Sequence, residues 1–194
     1  MSSPLSVPLS RFIIPLAFVA AIAVPSRAAR GQDVLDAKSA THLRDEYLKD
    51  LDTVHVKIMA LANAIPAEKY SWRPATGVRS VSEALMHCAV EWYYYVPSSV
   101  AMKPPADFGV LKESQAKLEK VTAKAQVIDH LNKSWTHAKA QLTAVNAASL
   151  TGKIKPWNAP LDEAAFAMAG DMHEHLGQLI AYARSVGVKP PWTK

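Results

Sequence analysis

The sequence predicts an all-α domain, most economically a four-helix bundle. Four stretches carry apolar residues at the three-and-four spacing of amphipathic helices, no segment alternates as a strand would, and proline-rich links punctuate the chain. The first helix is predicted over about residues 39–65, where Leu43, Tyr47, Leu51, Val54, Ile58, Leu61 and Ala62 share one face, and Pro66 stops it. Residues 66–79 hold turn formers with Tyr70 and Trp72, an ordered connection whose rings should cover the bundle end. Ser80 followed by Glu83 fits a capping box and starts a second helix with Val81, Ala84, Leu85, Cys88, Trp92 and Tyr95 as its stripe. His87 falls on the flank of that stripe beside Glu91, and Pro97 is expected to end the helix.

Residues 104–118 show no clear period and read as a crossover that begins a helix late. A third helix is predicted over 123–145 with Val127, Ile128, Leu131, Trp135, Ala138 and Leu142 inward. Its His130 and His137 have no acidic or histidine partner at i+4 and are expected on the solvated face. After a proline-rich link over 152–160, a fourth helix runs over 161–186, with Gly187 as its stop.

Residues 1–28 read as a cleaved signal peptide and 29–194 as the folded domain. Phe12 to Val24 is an apolar run of leader length, Ser26 and Ala28 suit the −3 and −1 positions of a cleavage site, and a membrane span needs roughly 20 apolar residues. No twin arginine precedes the run, and the one cysteine, Cys88, lies far from any lipidation position. Export to the periplasm or cell exterior, with no stable membrane anchor after cleavage, is the expectation. Cys88 allows no intramolecular disulfide and reads as a small buried hydrophobe. The formal charge is +5, and loss of Arg11 and Arg27 with the leader leaves +3. The basic residues are spread along the chain, so no nucleic-acid partner is inferred.

The most informative segment is Gly170-Asp171-Met172-His173-Glu174-His175-Leu176-Gly177. Positions i and i+4 of a helix lie one above the other, so Asp171 and His175 can converge on one metal ion, with His87 of the second helix as the candidate third ligand. Three ligands of histidine and carboxylate type leave coordination positions open, the arrangement by which Zn²⁺, Fe²⁺, Ni²⁺ or Mn²⁺ activates a water or binds a substrate. His173 projects about 200° around the helix from Asp171 and His175, near the stripe of Met172, Leu176 and Ile180. It is either a satisfied core histidine or the ligand in place of Asp171. The zinc-protease pattern His-Glu-x-x-His fails because its second histidine position is Gly177, and no phosphate loop, dinucleotide fingerprint or serine-hydrolase elbow is present.

Three segments carry a family resemblance: Pro66-Ala67-Glu68-Lys69-Tyr70-Ser71-Trp72-Arg73-Pro74, Val78-Arg79-Ser80-Val81-Ser82-Glu83-Ala84-Leu85-Met86-His87, and Glu174-His175-Leu176-Gly177-Gln178-Leu179-Ile180-Ala181-Tyr182-Ala183-Arg184. In this order they resemble the DinB-like superfamily of metalloenzymes. The resemblance implies an up-down-down-up four-helix bundle, a divalent metal held by three side chains, often a homodimer, and thiol-dependent transfer, hydrolysis or isomerisation of a small molecule. It places the family's helix-two histidine on His87 and the second histidine of its C-terminal His-x-x-x-His pattern on His175. The first histidine of that pattern falls on Asp171, which implies either a two-histidine, one-carboxylate site or loss of the metal. Glu91 and Glu174 are candidate general bases. Export argues against dependence on a cytosolic thiol and favours a hydrolase-like reaction over transfer. The competing expectation is a metal-free helical bundle that binds a ligand or partner.

Overall fold

A computed structural model describes residues 35–193; the predicted leader lies outside the described residues. The Asp36 carboxylate accepts the Ser39 N–H at 2.7 Å and so starts α1, Ala37–Ala64. Helix α2, Val81–Val90, begins with the predicted capping box: Ser80 Oγ accepts from the Glu83 N–H, and Glu83 accepts from the Ser80 N–H. It passes into a π-helical turn, Glu91–Tyr95, and a final turn, α3, Val96–Ser98. Helices α4, Leu111–Leu118, α5, Lys124–Ala144, and α6, Leu161–Ser185, follow. Gly187 at φ +81° ends α6, the left-handed position where glycine carries no Cβ penalty. The described residues contain no strand; Ile154 and Ala159 form an isolated bridge.

Helix α1 packs against α5 and α6, and α2 packs against α4, α5 and α6. The core is the set the periodicity selects: Tyr47, Leu51, Val54, Ile58 and Leu61 of α1 meet Leu85 and Trp92 of the second helix, Leu131 and Leu142 of α5, and Met172 and Leu179 of α6. Full burial of a leucine or isoleucine such as Leu51 or Ile58 is worth about 1.5–3 kcal/mol each.

Reciprocal caps tie α1 to α5. Arg44, early in α1, donates to the Leu142 and Val145 carbonyls at the end of α5, both at 3.0 Å. Lys124, the first residue of α5, donates to the Asn63 and Ile65 carbonyls at the end of α1, both at 2.7 Å. Each cation satisfies carbonyls that have no intrahelical partner, and together they hold the two helices antiparallel. The 66–79 connection is ordered as predicted: Tyr70 is buried with its hydroxyl on the Ala62 carbonyl at 2.7 Å, and Trp72 packs edge-on against Tyr182.

Two expectations need correction. Pro97 does not stop the second helix at once. In a regular α-helix its ring would meet the Tyr93 carbonyl, and the widened π turn, in which the Val96 N–H reaches the Glu91 carbonyl, lets the helix run on to Ser98. Nor are His130 and His137 on an open face. The 103–121 crossover covers that side of α5: His137 Nε2 lies 3.0 Å from the Lys103 carbonyl oxygen, and the His130 ring stands edge-on to Tyr93.

Candidate metal centre

The capping box fixes where α2 starts, and from that start His87 and Glu91 fall at i and i+4 on one face. Helix α6 runs past this face with Asp171 and His175 at the same spacing. The Tyr182 hydroxyl, donating to the Arg79 carbonyl at 3.0 Å, ties the end of α6 to the start of α2, so these two helices are antiparallel. The His87 and His175 rings come to 4.8 Å between centroids, nearly perpendicular at 81°.

Glu91 sits between them. Its Oε1 lies 3.2 Å from His87 Nε2 and 3.2 Å from His175 Nε2, and the residue is only 4% exposed. Asp171 lies at the rim with a half-exposed side chain, its Oδ2 3.6 Å from His175 Nε2. The structure therefore brings His87 and His175 together on Glu91, a carboxylate that the sequence marks only as a candidate base, and leaves Asp171, the third ligand read from the sequence, at the rim beside His175. The signal for Glu91 was available: it follows His87 by four residues, the spacing that singles out Asp171 and His175.

Charge follows from this packing. Burial alone would raise the Glu91 carboxyl, but hydrogen bonds from His175, His87 and Asp171 outweigh it and hold the group down at about 2. Asp171 moves the other way, to about 6, because burial and the adjacent Glu91 disfavour a second anion. Burial would lower His175, yet its bond to Glu91 and the charges of Glu91 and Asp171 raise it. The second carboxylate oxygen of Glu91 is buried without a hydrogen-bond partner.

The donor set fits a divalent cation. His87, Glu91 and His175 each place one ligand atom within 4.8 Å of the others. Metal–ligand bonds of about 2.0–2.1 Å in a tetrahedral shell put neighbouring donors about 3.3 Å apart. The two Glu91–histidine distances of 3.2 Å sit near that value. An orphaned buried carboxylate oxygen beside two imidazoles is also the arrangement a cation would satisfy.

His173 is neither a core histidine nor a member of this cluster. It is half-exposed on the α1-facing side of α6, with Nε2 3.1 Å from both carboxylate oxygens of Asp50. Glu174 is exposed as well. Cys88 is fully buried, and burial raises its thiol well above the usual range, in keeping with a packing role. Cavity size does not locate the chemistry. A groove of about 450 Å³ surrounds His173, and one of about 350 Å³ lies under the crossover beside Tyr93, Phe108 and His130. Convergence of donor atoms is the stronger criterion, because a metal needs ligands before it needs volume.

A family model for the DinB superfamily matches residues 50–179. The chain belongs to that superfamily. Comparison with curated proteins and with solved structures gave no match. The span matched runs from mid-α1 into α6 and so contains His87, Glu91, Asp171 and His175. This DinB-superfamily chain is thus helical and carries a His87/Glu91/His175 cluster able to bind a metal ion.

Proposed function

We propose that this DinB-superfamily protein is exported after cleavage of residues 1–28, and that residues 29–194 form an up-down-down-up four-helix bundle. In this reading His87, Glu91 and His175 hold one divalent ion (Zn, Ni, Fe or Mn), with Asp171 as a fourth donor at the rim, for hydrolase-like or transfer chemistry on a small molecule. Homodimerisation is the assembly the family resemblance implies. The antiparallel ties of α1 to α5 and α2 to α6 support the helix order. The observation that carries the site is the buried Glu91 carboxylate, bridged at 3.2 Å to two imidazoles from different helices while its other oxygen lacks a partner.

Such an ion lowers the pKa of a bound water and polarises a substrate oxygen. Glu91 stays ionised and anchors both histidines. Asp171 stands at the mouth, its Oδ2 3.6 Å from His175 Nε2, where its carboxylate would complete the donor set. Tyr94, Tyr95 and Trp157 line a cleft of about 210 Å³. Tyr95 follows Glu91 by four residues, one helical turn further along the same segment. The aromatic walls of the cleft suit the organic part of a small substrate.

Elemental analysis of the exported protein, purified without chelator or metal-affinity tag, tests the reading. Near-stoichiometric metal in the parent is expected, with loss in His87→Ala and Glu91→Ala and partial loss in Asp171→Ala. An empty parent that also ignores added metal would instead favour a metal-free binding bundle. Intact mass of the exported chain checks the leader, since cleavage after Ala28 leaves Ala29 first.

A further inference from the structure

Both imidazoles turn Nε2 toward Glu91, and the opposite nitrogens meet a second layer of side chains. His175 Nδ1 lies 3.3 Å from Gln178 Oε1. The Gln178 amide donates to the Tyr182 hydroxyl at 3.0 Å, and that hydroxyl donates to the Arg79 carbonyl at 3.0 Å. This chain fixes which end of the Gln178 amide faces the ring, leaving an acceptor on Nδ1. His87 Nδ1 is buried and makes no aligned hydrogen bond; Glu119 Oε1 lies 3.4 Å from it. Glu119 is in turn held by Arg79 Nε at 3.2 Å and the Gln115 amide at 3.1 Å. Two chains from different helices therefore end on one residue, Arg79, one on its guanidinium and one on its carbonyl.

We infer that Glu119 and Gln178 are positioning residues of the metal centre: each is placed to accept the Nδ1–H of one histidine once an ion is bound, so that both rings present Nε2 lone pairs to the same point. Ligating histidines are oriented in this way by an acceptor on the far nitrogen, and loss of that acceptor lowers metal affinity about 10–100-fold. Packing alone does not require both acceptors to land on the nitrogens facing away from Glu91. The crossover thereby contributes to the site, because Gln115 on α4 and Glu119 just after it complete the shell around His87. This role rests on the metal reading proposed above.

The test uses the full protein with Co²⁺ and Zn²⁺ in competition with a chromogenic chelator, and ¹⁵N–¹H correlation of the imidazoles in the Zn²⁺-loaded state. Glu119→Leu and Gln178→Leu should each weaken both ions about 10–100-fold. Glu119→Gln and Gln178→Glu, which keep an acceptor oxygen, should recover most of the loss, and they carry the test if a leucine variant fails to fold. In the Zn²⁺-loaded spectra, recorded at saturating metal, Glu119→Leu should shift or broaden the Nδ1–H signal of His87 while sparing that of His175, and Gln178→Leu should do the reverse. Folded leucine variants that bind Co²⁺ within about threefold of the parent, below the expected loss, would overturn the inference, as would unchanged Nδ1–H signals. A parent that binds neither ion would sink the metal reading and this role with it, whereas a parent that binds while its leucine variants are unaffected would sink the role alone.

Discussion

His173 and His175 stand two residues apart on α6, and each meets a carboxylate from another helix. His173 pairs with Asp50 of α1 at 3.1 Å, where both side chains are close to half exposed. His175 pairs with Glu91 at 3.2 Å, where the carboxylate side chain is 5% exposed and a second imidazole, His87, shares it. Distance does not separate the two pairs; burial and the number of converging donors do. In water an ion pair of this kind is worth about 0–1 kcal/mol, because solvent and salt screen it. Withdrawn from water, the same groups acquire displaced pKa values and a requirement for further partners.

The largest expected effect is on metal binding. His175→Ala should abolish stoichiometric Zn²⁺ binding, and His173→Ala should leave it unchanged in a competition titration; a loss in His173→Ala would erase the distinction. Stability should follow the same divide in the metal-free protein. Glu91→Ala leaves two largely covered imidazoles, each 15% exposed, without their shared acceptor and should cost about 3 kcal/mol in urea unfolding. Asp50→Ala, on the exposed side, should cost less than about 1 kcal/mol.

A smaller effect concerns pH. The Asp171 carboxyl, raised from 3.8 to about 6 in the folded state, contributes stability below pH 3.8 that is lost as pH rises through 6. Glu91, lowered from 4.5 to about 2, contributes stability above pH 4.5 that is lost as pH falls toward 2. Asp171→Asn should therefore gain on the metal-free parent between pH 4 and 7, by about 1 kcal/mol once screening at the half-exposed rim is allowed for. A pH-independent difference in unfolding free energy would show that Asp171 and Glu91 are not coupled. Smallest of all, Gly177→Ala, whose new methyl would meet nothing within 4 Å, should stabilise α6 by about half a kcal/mol, read as a rise in Tm. Zn²⁺ affinity should stay as in the parent, since α6 then serves His175 as a rigid support.

Much of the helix pattern was legible because burial writes its period directly into the chain. Tyr47, Leu51, Val54, Ile58, Leu61 and Ala62 were read as one face and are all buried. The Ser80 and Glu83 cap and the Gly187 stop were readable because each depends on contacts within a few residues. What resisted was information held between distant segments. Nothing local in α5 says that residues 103–121 will cover His130 and His137, and nothing around Pro97 announces a π turn. The site was legible as two i, i+4 pairs, but ranking Glu91 required knowing that its face turns inward. His173 misled because its helical angle borders the apolar stripe, while only the approach of Asp50 decides that it stays in solvent.

The reciprocal caps of Arg44 and Lys124 bear on how the molecule opens. Helix ends ordinarily fray first, since their last carbonyls have only water to lose to. Here the last turn of α1 is bonded to a residue 59 positions or more downstream, and the last turn of α5 to one 98 or more upstream. Neither end can loosen alone without breaking a contact across the helix pair. Amide exchange in these two terminal turns should accordingly track separation of α1 from α5 rather than local fraying, and a protease should find these ends closed until the helices part.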